Sequence, residues 1–228
     1  MNKGMATIGE SGVRPITGEG DVDLLRVYLV RHGETPWSRS GQHTGKTDIA
    51  LTQHGEDQAR ALAPLLNVIK FDHVLTSPAL RARQTSELAG YAGQAFVDSD
   101  FAEWDYGDYE GKRSSEIRTG RPGWNVFRNG CPGGESARDV TSRTDRAGVL
   151  LRALSGNILI FSHGHFSRSL AVRWIGLPII EAQHFRMDPA SISILAFDPA
   201  HPELAVIAQW NSTPAMTTHQ TNRTMINA

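Results

Sequence analysis

Two short, nearly continuous apolar runs limit the fold more than any other feature of the chain. They are Leu25 to Val30 and Ile158 to Phe161, and each is followed by residues at helical spacing. A strand with one wet face alternates polar and apolar residues, whereas an unbroken run belongs to a strand covered on both faces. Such strands lie in a parallel sheet between two layers of helices. Further strands are expected at Phe71 to Thr76, Ala95 to Asp98, Ser191 to Phe197 and Leu204 to Trp210. A helix from about Thr52 carries Ala59, Leu62, Ala63 and Leu66 on one face, and Pro64 is expected to kink or end it. Ser77-Pro78 reads as the N-cap and first position of a helix to about Ala89. Ser136 and Asp139 form a capping pair ahead of a stripe at Val140, Thr144, Ala147, Leu151 and Leu154. Phe166, Leu170 and Trp174 mark a last helix, stopped by Gly176 and Pro178. The expected fold is therefore an α/β, three-layer α/β/α sandwich with a mostly parallel sheet.

With 228 residues, one domain is expected: a folded region over 24–212, a disordered leader over 1–23 and a loose tail over 213–228. Residues 101–134 lack periodicity but are rich in Gly, Trp, Tyr and Arg, which suggests an insertion covering a site. The single cysteine, Cys131, permits neither an intramolecular disulfide nor a cysteine-based zinc site, and fits a reducing cytoplasm. A net charge of -1 argues against nucleic acid or an anionic membrane as partner. No apolar stretch approaches the ~18 residues that a spanning helix needs.

The chemistry gathers where strands end. Arg31-His32-Gly33-Glu34-Thr35 follows the first strand, Thr76-Ser77-Pro78 and then Arg81 follow the second, and Ser162-His163-Gly164-His165 follows the Ile158 run. Open α/β sheets bind ligands outside the carboxyl ends of their strands, so these segments share one rim. Glu103 follows the short strand at 95–98. Arginine forks match phosphate oxygens. Helix N-termini at Ser77-Pro78 and after His165 would add amides, and Gly33 and Gly164 would allow close backbone approach. Turnover needs a nucleophile, and a neutral imidazole at His32 qualifies if its other nitrogen is hydrogen-bonded. Arg31, Arg81 and His163 would hold the nonbridging oxygens. Glu103 would protonate the leaving oxygen and then accept a proton from the attacking water.

Other residues have plainer readings. His165 is expected to start a helix or stand behind the site. Trp104, Tyr106, Tyr109 and Trp124 divide between packing and substrate contact. Asp105 and Asp108 are turn residues, and Arg113, Arg121 and Arg128 are solvated before they are a second phosphate site.

The segments RHGETPWS, HTGKTDIALTQHG, TSPALRARQT, EWDYGDYEG and SHGHFSR resemble, in order and spacing, the motifs of the histidine phosphatase (phosphoglycerate mutase-like) superfamily. The resemblance covers about Leu25 to Trp210. It implies a six-stranded sheet, phosphohistidine chemistry at His32, a phosphate pocket of Arg31, Arg81 and His163, and Glu103 as proton donor. It also implies substrate contacts from His43, Thr44, Ser77, Tyr106, Gly164 and Arg168, a small phosphorylated metabolite as ligand, no cofactor or metal, and a monomer or homodimer. The chain departs from the mutase pattern at Thr44-Gly45-Lys46 and at Tyr106-Gly107-Asp108-Tyr109-Glu110-Gly111. The latter, with Gly130 to Ser136, is similar to bacterial acid phosphatases and sedoheptulose-1,7-bisphosphatase. Hydrolysis of sugar phosphates is therefore expected ahead of a 2,3-bisphosphoglycerate-dependent mutase. An idle phosphate-binding domain and a zinc hydrolase built on His163 and His165 complete the alternatives.

Overall fold

A computed structural model describes residues 25–214, so the expected leader and nearly all of the expected tail lie outside the described residues. In chain order come β1 (Arg26–Arg31), α1 (Pro36–Ser40), α2 (Gln53–Leu66), β2 (His73–Thr76), α3 (Leu80–Ser86) and β3 (Phe96–Val97). There follow α4 (Ser114–Gly120), α5 (Val126–Asn129), α6 (Ala137–Arg152), β4 (Asn157–Ser162), α7 (Gly164–Trp174), β5 (Ile192–Phe197) and β6 (Ala205–Ser212). The strands form one six-stranded sheet in the order β3-β2-β4-β1-β5-β6. Pairings among β1 to β4 are parallel, while β5 runs antiparallel to both of its neighbours.

Both faces of the sheet are covered, as the unbroken apolar runs required. Val27, Leu29, Ile158 and Ile160 pack with Leu151 of α6 and Phe166 and Leu170 of α7. The alternate residues Tyr28, Val30, Leu159 and Phe161 pack with Leu62 and Leu66 of α2 on the other face. A third cluster gathers Trp104, Tyr106, Trp124, Val126 and Phe127 of the 101–134 segment against Val140 of α6 and Val172 of α7. That segment has its own small core, and its tryptophans at 104 and 124 are interior.

Three local expectations need correction. Helix α3 starts at Leu80 with Ala79 at its N-cap, so Ser77-Pro78 does not open it. Ser77 Oγ instead accepts from Ala79 N at 3.2 Å and stands 2.7 Å from His163 Nε2. The same helix ends at Ser86 and passes into a π turn over Glu87–Tyr91, where Gly90 takes a φ of 101°. Pro64 does not end α2: it lies inside the helix, in an exposed position of its last turn, and the helix runs on to Leu66. The capping pair at Ser136 and Asp139 forms as expected, with Ser136 N donating to Asp139 Oδ2 at 2.9 Å.

Candidate active site

Strand register assembles the rim. Arg31 lies opposite Ser162 in the β1–β4 pairing, and Thr76 lies opposite Phe161 in the β2–β4 pairing. The pairing continues one residue beyond each strand: His32 N donates to Ser162 O at 3.0 Å and Ser77 N to Phe161 O at 2.9 Å. Side chains from residues 31–32, 77 and 163 therefore meet at one edge.

His32 is buried, with Nδ1 2.8 Å from its neighbour's carbonyl, Gly33 O. A carbonyl can only accept, so Nδ1 carries the proton and Nε2 keeps its lone pair. Burial, reinforced by Arg81 and Arg31, pushes the His32 pKa well below 6.5 and keeps the ring neutral. Gly33 cannot be larger, since a Cβ there would stand 2.3 Å from Gly55 O. The His163 ring centroid lies 5.2 Å from that of His32, and its pKa is also driven well down, first by burial and then by Arg81.

Both arginines are held by carbonyls. Arg31 Nη1 donates to Met187 O. Arg81 donates to Thr44 O at 2.9 Å, Gly45 O at 3.1 Å and Thr47 O at 3.2 Å. Arg31 Nε, Arg81 Nε and His163 Nδ1 are buried and have no hydrogen-bond partner among the described residues. Burial lowers both arginine pKa values, with Glu103 opposing the shift. The loop that grips Arg81 is itself pinned: Glu110 accepts from Gly45 N at 2.8 Å and Thr47 N at 3.1 Å. The two departures from the mutase pattern, at 44–46 and 106–111, thus touch each other and act on Arg81.

Glu103 is almost buried, with its side chain 7% exposed. Its carboxylate accepts from His165 N at 3.0 Å and from Phe166 N and Trp104 N at 2.9 Å each. The amides at the start of α7 are already taken, by the oxygens of the Glu103 carboxyl group, so the expectation of free amides there is corrected. Arg143 braces the same segment, donating to Asp100 O at 2.9 Å, Ala102 O at 2.7 Å and Glu103 O at 3.3 Å while pairing with Glu135 at 2.8 Å.

A cavity of about 260 Å³ opens onto these groups. Of the expected residues, Arg31, His32, His43, Thr44, Glu103, Tyr106, Gly164 and Arg168 line it. Arg81 and His163 are fully buried beside it. Ser77 lies outside its lining and faces an adjoining hollow of about 560 Å³, which Glu103 also borders. His165, expected behind the site, lines the cavity too, and its Nδ1 meets Tyr106 Oη at 2.6 Å. The second histidine of His163-Gly164-His165 was the only signal for it. Ser38 and Ser114, also in the lining, carried none. Arg113, Arg121 and Arg128 are exposed, as expected. No helix among the described residues is long and apolar enough to cross a membrane.

Known proteins are similar to this chain in sequence and in fold. An acid phosphatase of Mycobacterium tuberculosis is 43% identical over 186 residues, covering 80% of this chain and 91% of that protein. Sedoheptulose 1,7-bisphosphatase of Saccharomyces cerevisiae is 36% identical over 187 residues, covering 68% and 69%. Among solved structures, the product of an open reading frame of Mycobacterium tuberculosis superposes with a TM-score of 0.79 at 40% identity, covering 84% of this chain and 99% of that one. The model of the histidine phosphatase superfamily (branch 1) matches residues 27–211. With that match over most of its length, the chain belongs to the histidine phosphatase superfamily.

Proposed function

We propose that this protein hydrolyses small phosphate monoesters, sugar phosphates above all, through a phosphohistidine on His32. The Nε2 lone pair attacks phosphorus, the P–O ester bond breaks, and Glu103 gives its proton to the departing alkoxide. Water then attacks phosphorus and breaks the P–N bond. Its proton goes to Glu103, and inorganic phosphate leaves a neutral His32. Arg31, Arg81 and His163 neutralise charge on the nonbridging oxygens throughout. His43, Thr44, Tyr106, Gly164 and Arg168 contact the rest of the substrate, and Ser77 acts through His163.

The observation that carries this reading is the 2.8 Å contact from His32 Nδ1 to Gly33 O, which leaves Nε2 free in a neutral ring between two arginines. The names of the two relatives, an acid phosphatase and a sugar bisphosphatase, support hydrolysis of small esters. In the test, protein quenched during turnover is digested and searched by mass spectrometry for phosphate on His32, alongside phosphate release from p-nitrophenyl phosphate in EDTA. Labelled His32 and a loss of about 10⁴-fold in His32→Ala are expected. Undiminished turnover in that variant overturns the nucleophile. Conversion of 3- to 2-phosphoglycerate with little phosphate release would favour the mutase.

A further inference from the structure

A second hollow of about 220 Å³ adjoins the catalytic cavity. His43, Ser114, His165 and Arg168 line both, so one ligand can lie across the two. Either hollow alone is smaller than the ~300 Å³ at which small-molecule pockets begin; joined, they exceed it. Arg118 adds a second guanidinium to the outer lobe, with Asn125 and Gln183 as further polar lining, and no carboxylate among the described residues lines it.

The two arginines there are fixed without being neutralised. Arg118 Nε donates to Trp124 O at 2.9 Å, and Arg168 Nε donates to Ala182 O at 2.9 Å while its guanidinium stacks 4.7 Å above the Phe127 ring. Neither has a carboxylate at ion-pair distance among the described residues. Each anchor uses one nitrogen of the fork and leaves the others for a ligand. Their charge is felt at the cavity wall: after burial, Arg118 is what lowers the His43 pKa, to about 4, and Arg168 is the leading charge that lowers that of His165.

We propose that this lobe binds a second anionic group, phosphate or carboxylate, on the same molecule whose ester reacts at His32, with Arg118 as a specificity-determining residue. Preferred substrates are then phosphate esters with a distal anion, such as sugar bisphosphates. The inference rests on the hydrolase reading above. Arg118 lies in α4, away from the strand-end motifs, so it tunes substrate choice independently of the chemistry.

The test compares kcat/KM of the full chain for fructose 1,6-bisphosphate and 3-phosphoglycerate with that for p-nitrophenyl phosphate, which has no second anion. In wild-type protein the bisphosphate-to-nitrophenyl ratio is expected to fall with added salt. Arg118→Gln, which can still donate to Trp124 O, lowers the ratio about tenfold, mainly through KM. Arg118→Glu lowers it further, and Arg118→Lys stays within about threefold of wild type. A parallel loss with 3-phosphoglycerate shows that the lobe accepts any anion; loss with the bisphosphate alone assigns it to phosphate. A ratio indifferent to salt and to all three substitutions overturns the proposal. Calorimetric binding of fructose 1,6-bisphosphate keeps the two readings apart. An Arg118-dependent Kd without turnover sinks the hydrolase and keeps the lobe, whereas turnover with an Arg118-independent Kd sinks the lobe.

Discussion

Buried arginines serve opposite ends at the strand-end rim and in the 101–135 segment. Arg143, under the latter, is satisfied within the protein: its side chain bonds three carbonyls and both oxygens of Glu135. Arg81, at the rim, is fully buried and Arg31 partly so, but both meet only carbonyls, and each keeps a buried Nε with no partner among the described residues. A buried cation without a counter-charge is costly, so a fold keeps one where an incoming anion supplies the missing charge. Under the proposed function, pairing, more than burial, separates a structural arginine from one that waits for phosphate.

Substitution at the two places sharpens that difference. Arg143→Met strands the Glu135 carboxylate and frees the carbonyls of residues 100–103, which should cost about 3–5 kcal/mol. Phosphatase activity should fall as well, because Glu103 loses its brace. Arg31→Met should change stability by about 1 kcal/mol or less, the worth of its bond to Met187 O, while reducing kcat/KM about 10²- to 10³-fold. Urea unfolding beside steady-state kinetics reads both quantities. Equal stability losses in the two variants would erase the distinction.

Acid should break the rim before the 101–135 segment. His32, His163 and His165 are held neutral with pKa values well below 6.5, chiefly by burial. Above about pH 6.5 the unfolded chain is neutral at these positions too, and their neutrality costs nothing. As pH falls through 6.5 toward the folded values, only the unfolded chain binds protons, so stability falls. Each group contributes a slope of up to ~1.4 kcal/mol per pH unit. Denaturation at stepped pH should show the decline, and His163→Asn should flatten it by about one proton. The same depression keeps the His32 lone pair free in mild acid. Once corrected for substrate ionisation, kcat/KM should hold as pH drops through 6.5. An acid limb centred at 6.5 would contradict the burial.

The sequence exposed the rim because register does the work there. Unbroken apolar runs identify central parallel strands, and parallel neighbours end together, so residues just after Val30 and Phe161 must meet. Contacts between segments far apart in the chain were not legible. Nothing in the spacing of Glu103 shows that it occupies the amides of α7, since that contact joins segments about sixty residues apart. Nor did the Ser77-Pro78 dipeptide reveal that Ser77 would face His163 in place of capping α3. The outer lobe escaped for the same reason. Arg118 looks no different from Arg113 or Arg121 in the sequence, and only the folding of 101–134 into its own core sets it beside His43.

Glu110 joins the two regions and offers the finest test of how they communicate. It belongs to the 101–135 segment, yet its oxygens hold Gly45 N and Thr47 N, and the carbonyls of that loop hold Arg81. The approach is tight, because a Cβ on Gly45 would stand 2.5 Å from Trp104 O. Glu110→Gln keeps one acceptor oxygen and loses the other, so the loop should loosen without unfolding. If Arg81 acts mainly on the transferring phosphoryl group, kcat should fall about tenfold while KM rises little. Inhibition constants separate positioning from general loosening. Vanadate, which mimics the five-coordinate transition state, should weaken several-fold more than inorganic phosphate. Equal weakening of both would mean that Glu110 maintains the loop with no particular bearing on the transition state, and only undiminished binding of both would mean that the rim needs nothing from the segment above it to hold Arg81 in place.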